Sequence, residues 1–393
     1  MNRTGILFNV KYSENLGDGI IAEALEKFLR KNVPNTLIKS CDLAGRNSYF
    51  SANAQRSLRI KFINLLPKKI RIFLIEHFLK IHCEKNLKEH YESALENAAF
   101  AVLGGGNLFS DIDLNFPSKI NTLVKVINQK KIPFFVFSVG VSEGWSQKGK
   151  SLLNQRFINN PNLKYFSVRD KDSLLQIKKH FPFLKKYNLK IDYDPGLLIS
   201  RFYPFQNNNI YDIGISIISA SEINYHSKIN IDNYSHEQNY LALIEKLLKI
   251  NKKVLLFCNG NYDDINTCKN IYNKIKKRNV NIIIPKTPFE LCCLISSCKL
   301  ILAHRLHALI TGFSYKKNIF GFIWDKKIES FFKLIGHKSN VLNFCSLQKK
   351  IFNKTKNSKK RHVTKSLQVF NKCDQGLSRL ANSINIHCKI RLL

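Results

Sequence analysis

The apolar run Ile301–Ile310, ILAHRLHALI, contains three polar side chains, His304, Arg305 and His307, in a segment that otherwise reads as core. An arginine presents a fork of N–H donors that suits a carboxylate or phosphate, and a histidine titrates near neutral pH. A strand that ends near His304 and is followed by a helix would place Arg305 and His307 at the helix N-terminus, where an anion is stabilised. The pair therefore predicts a small anion site with a proton donor; the alternative is a buried Arg–His pair satisfied by backbone carbonyls.

A second motif, Asn15-Leu16-Gly17-Asp18, follows the apolar segment Gly5–Val10 and precedes an amphipathic stretch. A strand–loop–helix turn of this kind lies at the carboxyl edge of a parallel sheet, where α/β proteins bind ligands. Gly17 allows a tight backbone at that point. Asp18 either caps the helix or faces the ligand as a hydroxyl acceptor or base, and the residues leave both alternatives open.

A third motif is VLGGGNLFSD, in which an apolar run leads into Gly104, Gly105 and Gly106 and then Asn107. Consecutive glycines let the backbone approach a ligand closely and expose its N–H groups. The spacing is not G-x-G-x-x-G, and no acidic residue follows at dinucleotide spacing, so a NAD site is excluded. The glycines predict a ligand loop, and the alternative is a tight turn of small residues.

The fourth motif, SVRDKDS, again joins an apolar run to an amphipathic stretch. Asp170 is predicted to cap that helix, with Ser173 in its first turn. Arg169 either points toward a ligand or pairs with a carboxylate. We retain Arg169 as a candidate substrate-binding residue.

These motifs all follow short apolar runs that alternate with amphipathic stretches, which predicts parallel α/β architecture. Five strands and three helices are predicted in the first half: Gly5–Val10, Leu37–Ser40, Ala99–Leu103, Phe134–Val139 and Leu163–Val168, with Gly19–Lys31, Lys119–Gln129 and Lys171–His180. A second, complete Rossmann-like alternation begins near Tyr211. We therefore predict two Rossmann-like domains, 1–203 and 204–345, followed by a basic tail, 346–393.

The chain has 393 residues, of which 63 are basic and 28 acidic, for a formal charge of +35. Such a charge predicts an anionic partner. No zinc finger, RNP-like or Gly-rich RNA motif accompanies it, so an anionic substrate and an anionic membrane surface are favoured over nucleic acid. Arg56–Lys85 carries eight basic and two acidic residues among Ile, Leu and Phe. It is either a basic amphipathic helix pair on a membrane or an ordinary helix pair covering the sheet.

Ten cysteines without a C-x-x-C pair indicate reduced thiols in a reducing compartment. The longest apolar run, IPFFVFSVGV, is too short to span a bilayer. We therefore predict a cytoplasmic protein, peripheral on the inner face of the cytoplasmic membrane. No third ligand accompanies His304 and His307, so no metal site and no cofactor are predicted.

The chain resembles the polysaccharide pyruvyl transferase family over Gly5–Gly336. The resemblance depends on the order of the four motifs, the Asp-Pro step in DYDPGLL and the segment WDKKIESFFKLIG. The family is similar in fold to GT-B-type glycosyltransferases, so the resemblance implies two Rossmann-like domains facing across a cleft. It implies transfer of a group from phosphoenolpyruvate onto a saccharide or lipid-linked oligosaccharide as a pyruvate ketal. The products would be bacterial exopolysaccharide, capsule or lipopolysaccharide.

The resemblance implies that His307 is the acid/base, that Arg305 handles phosphoenolpyruvate in the second domain, and that Asp18 faces the acceptor with the first domain. The remaining predicted substrate-binding residues are Asn15, Gly17, Gly104, Gly105, Gly106, Asn107, Arg169, Leu306 and Lys326.

The sequence departs from the family where an Arg often follows the first strand of the second domain. Here IGISIISASEIN provides Ser216 and Ser219 instead, and Lys326 is the cation that could substitute. Two alternatives therefore stay open: a glycosyltransferase of the same fold with a nucleotide-sugar donor, and a non-catalytic glycan- or membrane-binding scaffold.

Overall fold

The computed structural model describes residues 3–49, 67–205, 208–227, 230–344 and 363–389. The chain forms two compact units. Unit 1 comprises residues 1–13, 21–195 and 372–393, and unit 2 comprises residues 14–20 and 196–371. The sequence predicted a boundary after Tyr203, whereas the structure divides the chain after Pro195 and assigns the loop Glu14–Ile20 to unit 2.

Unit 1 is built on a parallel six-stranded sheet in the order β2-β1-β3-β4-β5-β6. Its strands are β1 Arg3–Asn9, β2 Thr36–Asp42, β3 Ala98–Gly104, β4 Phe134–Val139, β5 Leu163–Val168 and β6 Lys190–Ile191. All six side chains of β4 are buried, as expected for a strand covered by helices on both faces. Its flanking helices are α1 Leu16–Asn32, α2 Lys68–Ile81, a π-helix His82–Leu87, α3 Lys88–Ala94, α4 Asn115–Gln129, α5 Gln147–Phe157 and α6 Lys171–His180, with a 3₁₀ turn Pro182–Tyr187.

Unit 2 repeats the architecture with a second parallel six-stranded sheet in the order β12-β11-β10-β7-β8-β9. Its strands are β7 Tyr211–Ile217, β8 Val254–Cys258, β9 Val280–Ile282, β10 Cys298–Ala303, β11 Asn318–Phe322 and β12 Val341–Leu342. Its helices are the 3₁₀ turns Pro195–Leu198 and Lys338–Asn340, α7 Ile199–Phe202, α8 Ala220–His226, α9 Asn233–Lys249, α10 Tyr262–Ile275, α11 Pro288–Ser296, α12 Leu306–Ser314 and α13 Lys326–Ile335. The prediction of two Rossmann-like units is confirmed.

Helix α14, Val363–Lys389, begins in unit 2 and ends in unit 1, so the C-terminal segment is not a separate domain. Within unit 1, its Arg379 donates to the buried carboxylate of Asp192, and its Cys373 Sγ lies 3.3 Å from the carbonyl of Asp194. The basic run that precedes α14, residues 349–362, lies outside the described residues.

Side-chain caps fix where the helices on the carboxyl edges of both sheets begin. Asp170 accepts a hydrogen bond from the backbone N–H of Ser173 at 2.7 Å, which confirms the predicted cap of α6. Six other helices begin at a residue whose side chain accepts from the first turn: Ser146, Ser219, Asp232, Asn261, Thr287 and Asp325. Each such cap contributes about 1 kcal/mol, and together they define the loops that precede the helices.

Of the basic segment Arg56–Lys85, residues 56–66 lie outside the described residues, and the remainder forms α2 and part of the π-helix. Within the described ranges, no helix combines the length and apolar character needed to cross a bilayer.

Candidate functional site

The loop that precedes α1 packs on the carboxyl edge of the sheet of unit 2. Leu16 donates its N–H to the carbonyl of Asn259 at 2.7 Å, directly after β8. Asn259 in turn accepts from Ser216 Oγ of β7 at 3.1 Å, and its Nδ2 lies 3.5 Å from Asn15 Oδ1. The Asn15–Asp18 motif therefore belongs to the same unit as the motif after β10, although we had predicted it on the first domain.

Gly17 of this loop lies directly against His307. A Cβ atom placed on Gly17 would be 2.5 Å from His307 Cβ and 2.7 Å from its Nδ1. His307 is the second residue of α12 and is only 9% exposed. Glycine is required here by the close approach of the imidazole rather than by an unusual backbone angle. Two motifs that are 290 residues apart in the chain thus form one site.

Gly260 makes a comparable close approach on the other side of the loop. Its backbone has φ +103°, and a Cβ there would lie 2.6 Å from the carbonyl oxygen of Glu14. The Asn259–Gly260 turn after β8 therefore holds the loop of α1 against unit 2.

Asn15 directly precedes α1 and contributes to the cap of its first turn. The Asn15 Oδ1 accepts from the N–H of Gly17 at 3.2 Å, and the N–H of Asp18 donates to the Asn15 carbonyl at 3.0 Å. Asp18 lies in the first turn of α1 and is half-buried, so its carboxylate is stabilised by the helix dipole. Both alternatives for Asp18, a contribution to the helix cap and a contact to a ligand, stay predictions.

Arg305 is held by two carboxylates of unit 2. Its Nε and Nη2 donate to Asp264 Oδ2 at 3.0 and 2.5 Å, and its Nη1 donates to Glu222 Oε2 at 3.3 Å. Burial raises the pKa of Asp264 to about 6, with Arg305 opposing the increase. Burial lowers the pKa of Arg305, but the two carboxylates outweigh it and the net shift is upward, so the guanidinium is charged at neutral pH. The Arg305 guanidinium, which the sequence predicts to bind a ligand anion, therefore binds carboxylates of the protein itself.

Glu222 links this ion pair to a titratable ring at the end of α8. Glu222 Oε1 accepts from Asn261 Nδ2 at 2.8 Å, and its Oε2 lies 3.5 Å from His226 Nε2. Burial lowers the pKa of His226, whereas Glu222 raises it. Two carboxylates and one guanidinium make this cluster acidic overall, unless His226 or an outside cation balances it.

His304 is a core residue rather than a ligand. Its Nδ1 lies 2.8 Å from the hydroxyl of Tyr240, which accepts from the N–H of Ile218 at 3.3 Å. The His304 ring is thus hydrogen-bonded within the core of unit 2. His236 Nε2 donates to the carbonyl of Ile218 at 2.9 Å. Together these side chains hold the peptide that leads from β7 to α8, which explains His304 in structural terms.

We expect the free energy of unfolding to fall as the pH drops below 6.5, the usual pKa of histidine. Burial lowers the pKa of His304 well below that value and also lowers the pKa of His236. The unfolded chain then binds more protons than the folded one, so each ring removes up to about 1.4 kcal/mol per pH unit until its folded-state pKa is reached. Urea unfolding at pH values on either side of 6.5 measures this slope.

The matched variant for this slope is His304→Phe, which should flatten it, because it removes the ring whose pKa is lowered by burial. An identical slope in the wild type and His304→Phe would contradict the assignment of His304 as a neutral core histidine.

Leu306 and Lys326 are the first residues of α12 and α13. Lys326 is exposed, and its helix is capped by Asp325. The preceding Trp324 donates its indole N–H to the carbonyl of His304 at 2.6 Å. The loop before α13 is therefore tied to the loop before α12, both at the carboxyl edge of unit 2.

In unit 1, the three glycines form the turn after β3. Gly105 and Gly106 have left-handed backbones, with φ +79° and +81°, and a Cβ on Gly105 would lie 2.4 Å from Ile21 Cγ2. The N–H of Gly105 donates to the carbonyl of Phe137 at 3.0 Å. Gly104 is equally confined, because its Cβ would lie 2.8 Å from that carbonyl oxygen. Conformation and packing thus both require glycine in this turn.

Asn107 and Arg169 converge on Gly140, at the ends of β3, β5 and β4. A Cβ on Gly140 would be 2.7 Å from both Asn107 Oδ1 and Arg169 Cζ. Asn107 Nδ2 donates to Ser142 Oγ at 3.1 Å, and within the described part of the chain its buried Oδ1 has no hydrogen-bond partner. Arg169 Nε donates to Asp170 Oδ2 at 3.1 Å, so of the two predicted alternatives it makes the carboxylate pair. Unit 1 therefore carries its own polar cluster at the carboxyl edge of its sheet.

Sequence reasoning missed several of these residues. The Asn259-Gly260 dipeptide directly after an apolar run was a usable turn signal. No local sequence signal marked Glu222 and Asp264, because they lie 83 and 41 residues from Arg305 in the chain. In the described ranges, no group of three or more His, Cys, Asp or Glu side chains is arranged to hold a metal ion.

A family model described as polysaccharide pyruvyl transferase matches residues 15–326 of the chain, which is well over half of it. The chain belongs to the polysaccharide pyruvyl transferase family. The match runs from the first residue of the Asn15–Asp18 motif to Lys326, and so contains every predicted site residue.

Solved structures share the fold of this family member. A putative UDP-N-acetylglucosamine 2-epimerase from Listeria monocytogenes superposes with a TM-score of 0.59 at 8% identity, covering 99% of this chain and 97% of that one. The S. aureus MnaA–UDP co-structure gives a TM-score of 0.55 at 10% identity, with the same coverage. At these identities the similarity shows the fold alone. No curated protein sequence matches the chain significantly.

Proposed function

We propose that this protein transfers a pyruvyl group from phosphoenolpyruvate to a saccharide, forming a cyclic ketal, with His307 moving the proton. The observation that carries the proposal is the contact of His307 with Gly17, which unites two family motifs at the carboxyl edge of one parallel sheet. His307 is buried enough to exclude most water, and an imidazole can both donate and accept a proton.

The chemistry assigned to His307 is a proton transfer at carbon. A protonated His307 gives its proton to the methylene carbon of phosphoenolpyruvate, which makes C2 electrophilic. A first saccharide hydroxyl attacks C2 and returns a proton to the imidazole. The C2–O bond to phosphate then breaks, and the second hydroxyl attacks C2 and gives its proton to the leaving phosphate. One phosphoenolpyruvate and one diol thus yield one pyruvate ketal and one phosphate.

The other predicted residues have supporting roles in this proposal. Arg305 is a positioning residue, because its donors are committed to Asp264 and Glu222. It fixes the turn before α12 and hence the imidazole of His307. Lys326, at the start of α13, supplies a cation toward the phosphate. Asp18 binds a saccharide hydroxyl, and the substrate-binding roles of Asn107 and Arg169 in unit 1 stay predictions.

We place this reaction in the synthesis of a bacterial surface polysaccharide such as exopolysaccharide, capsule or lipopolysaccharide, on the cytoplasmic side of the membrane. Phosphoenolpyruvate is a cytoplasmic metabolite, and lipid-linked oligosaccharides present their sugars at the membrane surface. The large positive charge of the chain suits both the anionic donor and that surface.

The test is release of inorganic phosphate from phosphoenolpyruvate in the presence of lipid-linked and free oligosaccharides. We expect release that depends on the acceptor, together with a ketal product whose mass exceeds that of the acceptor by one pyruvylidene group. Absence of acceptor-dependent release across a broad panel would count against the proposal.

We expect Gly17→Ala to lower phosphate release about tenfold to a hundredfold, because the added methyl group displaces His307 from its position. Overpacking should also lower the free energy of unfolding by about 1–3 kcal/mol. Phosphate release and urea unfolding measure the two effects separately. Gly144→Ala is the matched control, because no heavy atom lies within 4 Å of its added Cβ. Equal activity of both variants would contradict the assigned contact.

One observation favours a second candidate function. Because Arg305 is neutralised by two carboxylates, the edge of unit 2 offers fewer cations to a phosphoenolpyruvate trianion than the sequence predicted. A nucleotide-sugar donor needs less local positive charge, so a glycosyltransferase of the same fold is the alternative. Turnover of a nucleotide sugar without phosphate release from phosphoenolpyruvate would establish it, and binding of glycan without turnover would indicate a scaffold.

A further inference from the structure

Helix α2 of unit 1 exposes a row of large apolar side chains. Ile70, Phe73, Phe78 and Ile81 are exposed to 51%, 67%, 62% and 39%. Ile70, Phe73 and Ile81 follow one another at spacings of three and eight residues, which places them on one face of the helix, with Phe78 at its margin. Two exposed phenylalanines on one helix form an apolar patch of the kind that marks an interaction site.

The opposite side of α2 is already anchored to unit 1. Leu79 packs against the apolar core of that unit. Glu76 forms an ion pair with Lys148 of α5 at 2.5 Å, and α2 contacts α4. The exposed row is therefore not the face that holds α2 to unit 1, and the helix presents a second apolar face in addition to its anchored one.

The charges around this apolar face indicate which kind of partner it binds. Glu76 is the one acidic residue in the sequence of α2, and it is paired with Lys148 on the anchored side. Arg71 and Lys80 lie near the two ends of the apolar row, and the whole chain carries +35. An apolar helix face bordered by cations is typical of helices that lie in the interface of an anionic bilayer.

We propose that α2 is a membrane-docking helix, which inserts Ile70, Phe73, Phe78 and Ile81 among the acyl chains of an anionic lipid bilayer. Arg71 and Lys80 then contact the lipid headgroups. The docking is independent of the reaction chemistry, because it uses no residue of the candidate site. It would keep the enzyme at a surface where lipid-linked saccharides are presented.

The test is flotation of the full chain with phosphatidylcholine vesicles, with and without phosphatidylglycerol. We expect binding to the vesicles that contain phosphatidylglycerol, weakened by salt. The double variant Phe73→Ser/Phe78→Ser should bind at least tenfold more weakly, because each aromatic side chain contributes roughly tenfold when buried. Arg71→Gln/Lys80→Gln should lose about fivefold per charge on anionic vesicles only.

The matched control is Leu175→Ser/Tyr234→Ser, which removes two side chains that are exposed to 61% and 70% elsewhere on the surface. It should bind as the wild type does, and circular dichroism should show all variants folded. Phosphate release with a soluble acceptor should be unchanged in Phe73→Ser/Phe78→Ser, which separates this proposal from the proposed function.

Three results would overturn the proposal. The first is a wild-type chain that ignores phosphatidylglycerol, and the second is Phe73→Ser/Phe78→Ser binding as tightly as the wild type. The third is a wild-type dimer, seen by light scattering, that the same variant converts to a monomer without loss of vesicle binding. That last result would assign the face to a second copy of the chain.

Discussion

Replacement of His307 by alanine is expected to lower turnover about a hundredfold to ten-thousandfold while leaving the fold intact. His307 provides the proton for the methylene carbon in the proposed reaction, and it lies against Gly17 at the carboxyl edge of the sheet of unit 2, in the first turn of α12. Phosphate release measures the turnover, and circular dichroism with urea unfolding measures the fold.

His77→Ala, an exposed histidine on α2, is the control and should keep full turnover. His307→Gln tests the chemistry further, because an amide retains hydrogen bonding but cannot act as a general acid or base. An unfolded His307→Ala would show that the imidazole is a structural element, and full turnover in either variant would exclude it as the proton donor.

Arg305→Ala is expected to lower the free energy of unfolding by about 3–5 kcal/mol. The substitution leaves Asp264 fully buried and without its guanidinium partner, and it also removes the bond to Glu222. Turnover should fall as well, because the turn that positions His307 loses its anchor. Urea unfolding at neutral pH measures the stability, and phosphate release at matched folded fraction measures the turnover.

Lys299→Ala is the matched control, because Lys299 pairs with Asp212 on the surface of the same unit and its side chain is 56% exposed. It should change the free energy of unfolding by less than about 1 kcal/mol. The double variant Arg305→Met/Asp264→Leu should recover much of the lost stability without recovering turnover. If Arg305→Ala unfolds like the wild type, the buried pair does not hold the turn, and Arg305 becomes available again as a ligand for the donor.

The elements of the fold were predictable because each carries its own local signal. Phe134–Val139 reads as a buried strand because it is continuously apolar, and the structure has β4 at the same bounds. Asp170 reads as a helix cap because a carboxylate two residues after an apolar run can satisfy the free N–H groups of a first turn. Such signals depend only on residues that are close in the chain, and they can therefore be recognised from the sequence alone.

The partners of the site residues were not predictable in the same way. Arg305 was read as an anion-binding fork because its local surroundings, a strand end and a helix start, favour that role. Arg305 donates hydrogen bonds to Glu222 of α8 and Asp264 of α10, and no local pattern in either helix predicts these bonds. The role of His304 was not predictable for the same reason, because its hydrogen-bond partner, Tyr240, lies 64 residues away.

The order and chemistry of the motifs were enough to predict the family, because Asn15–Asp18, the glycines and the Arg305–His307 pair occur in the order that the family resemblance requires. Which motifs meet was decided only by tertiary structure. The loop of Asn15–Asp18 packs on the carboxyl edge of unit 2, where Gly17 leaves room for His307, and does not stay with the strand that precedes it. In the sequence this contact is visible only as the glycine at position 17. A glycine does not indicate which residue will approach it, because that is decided by the folded chain.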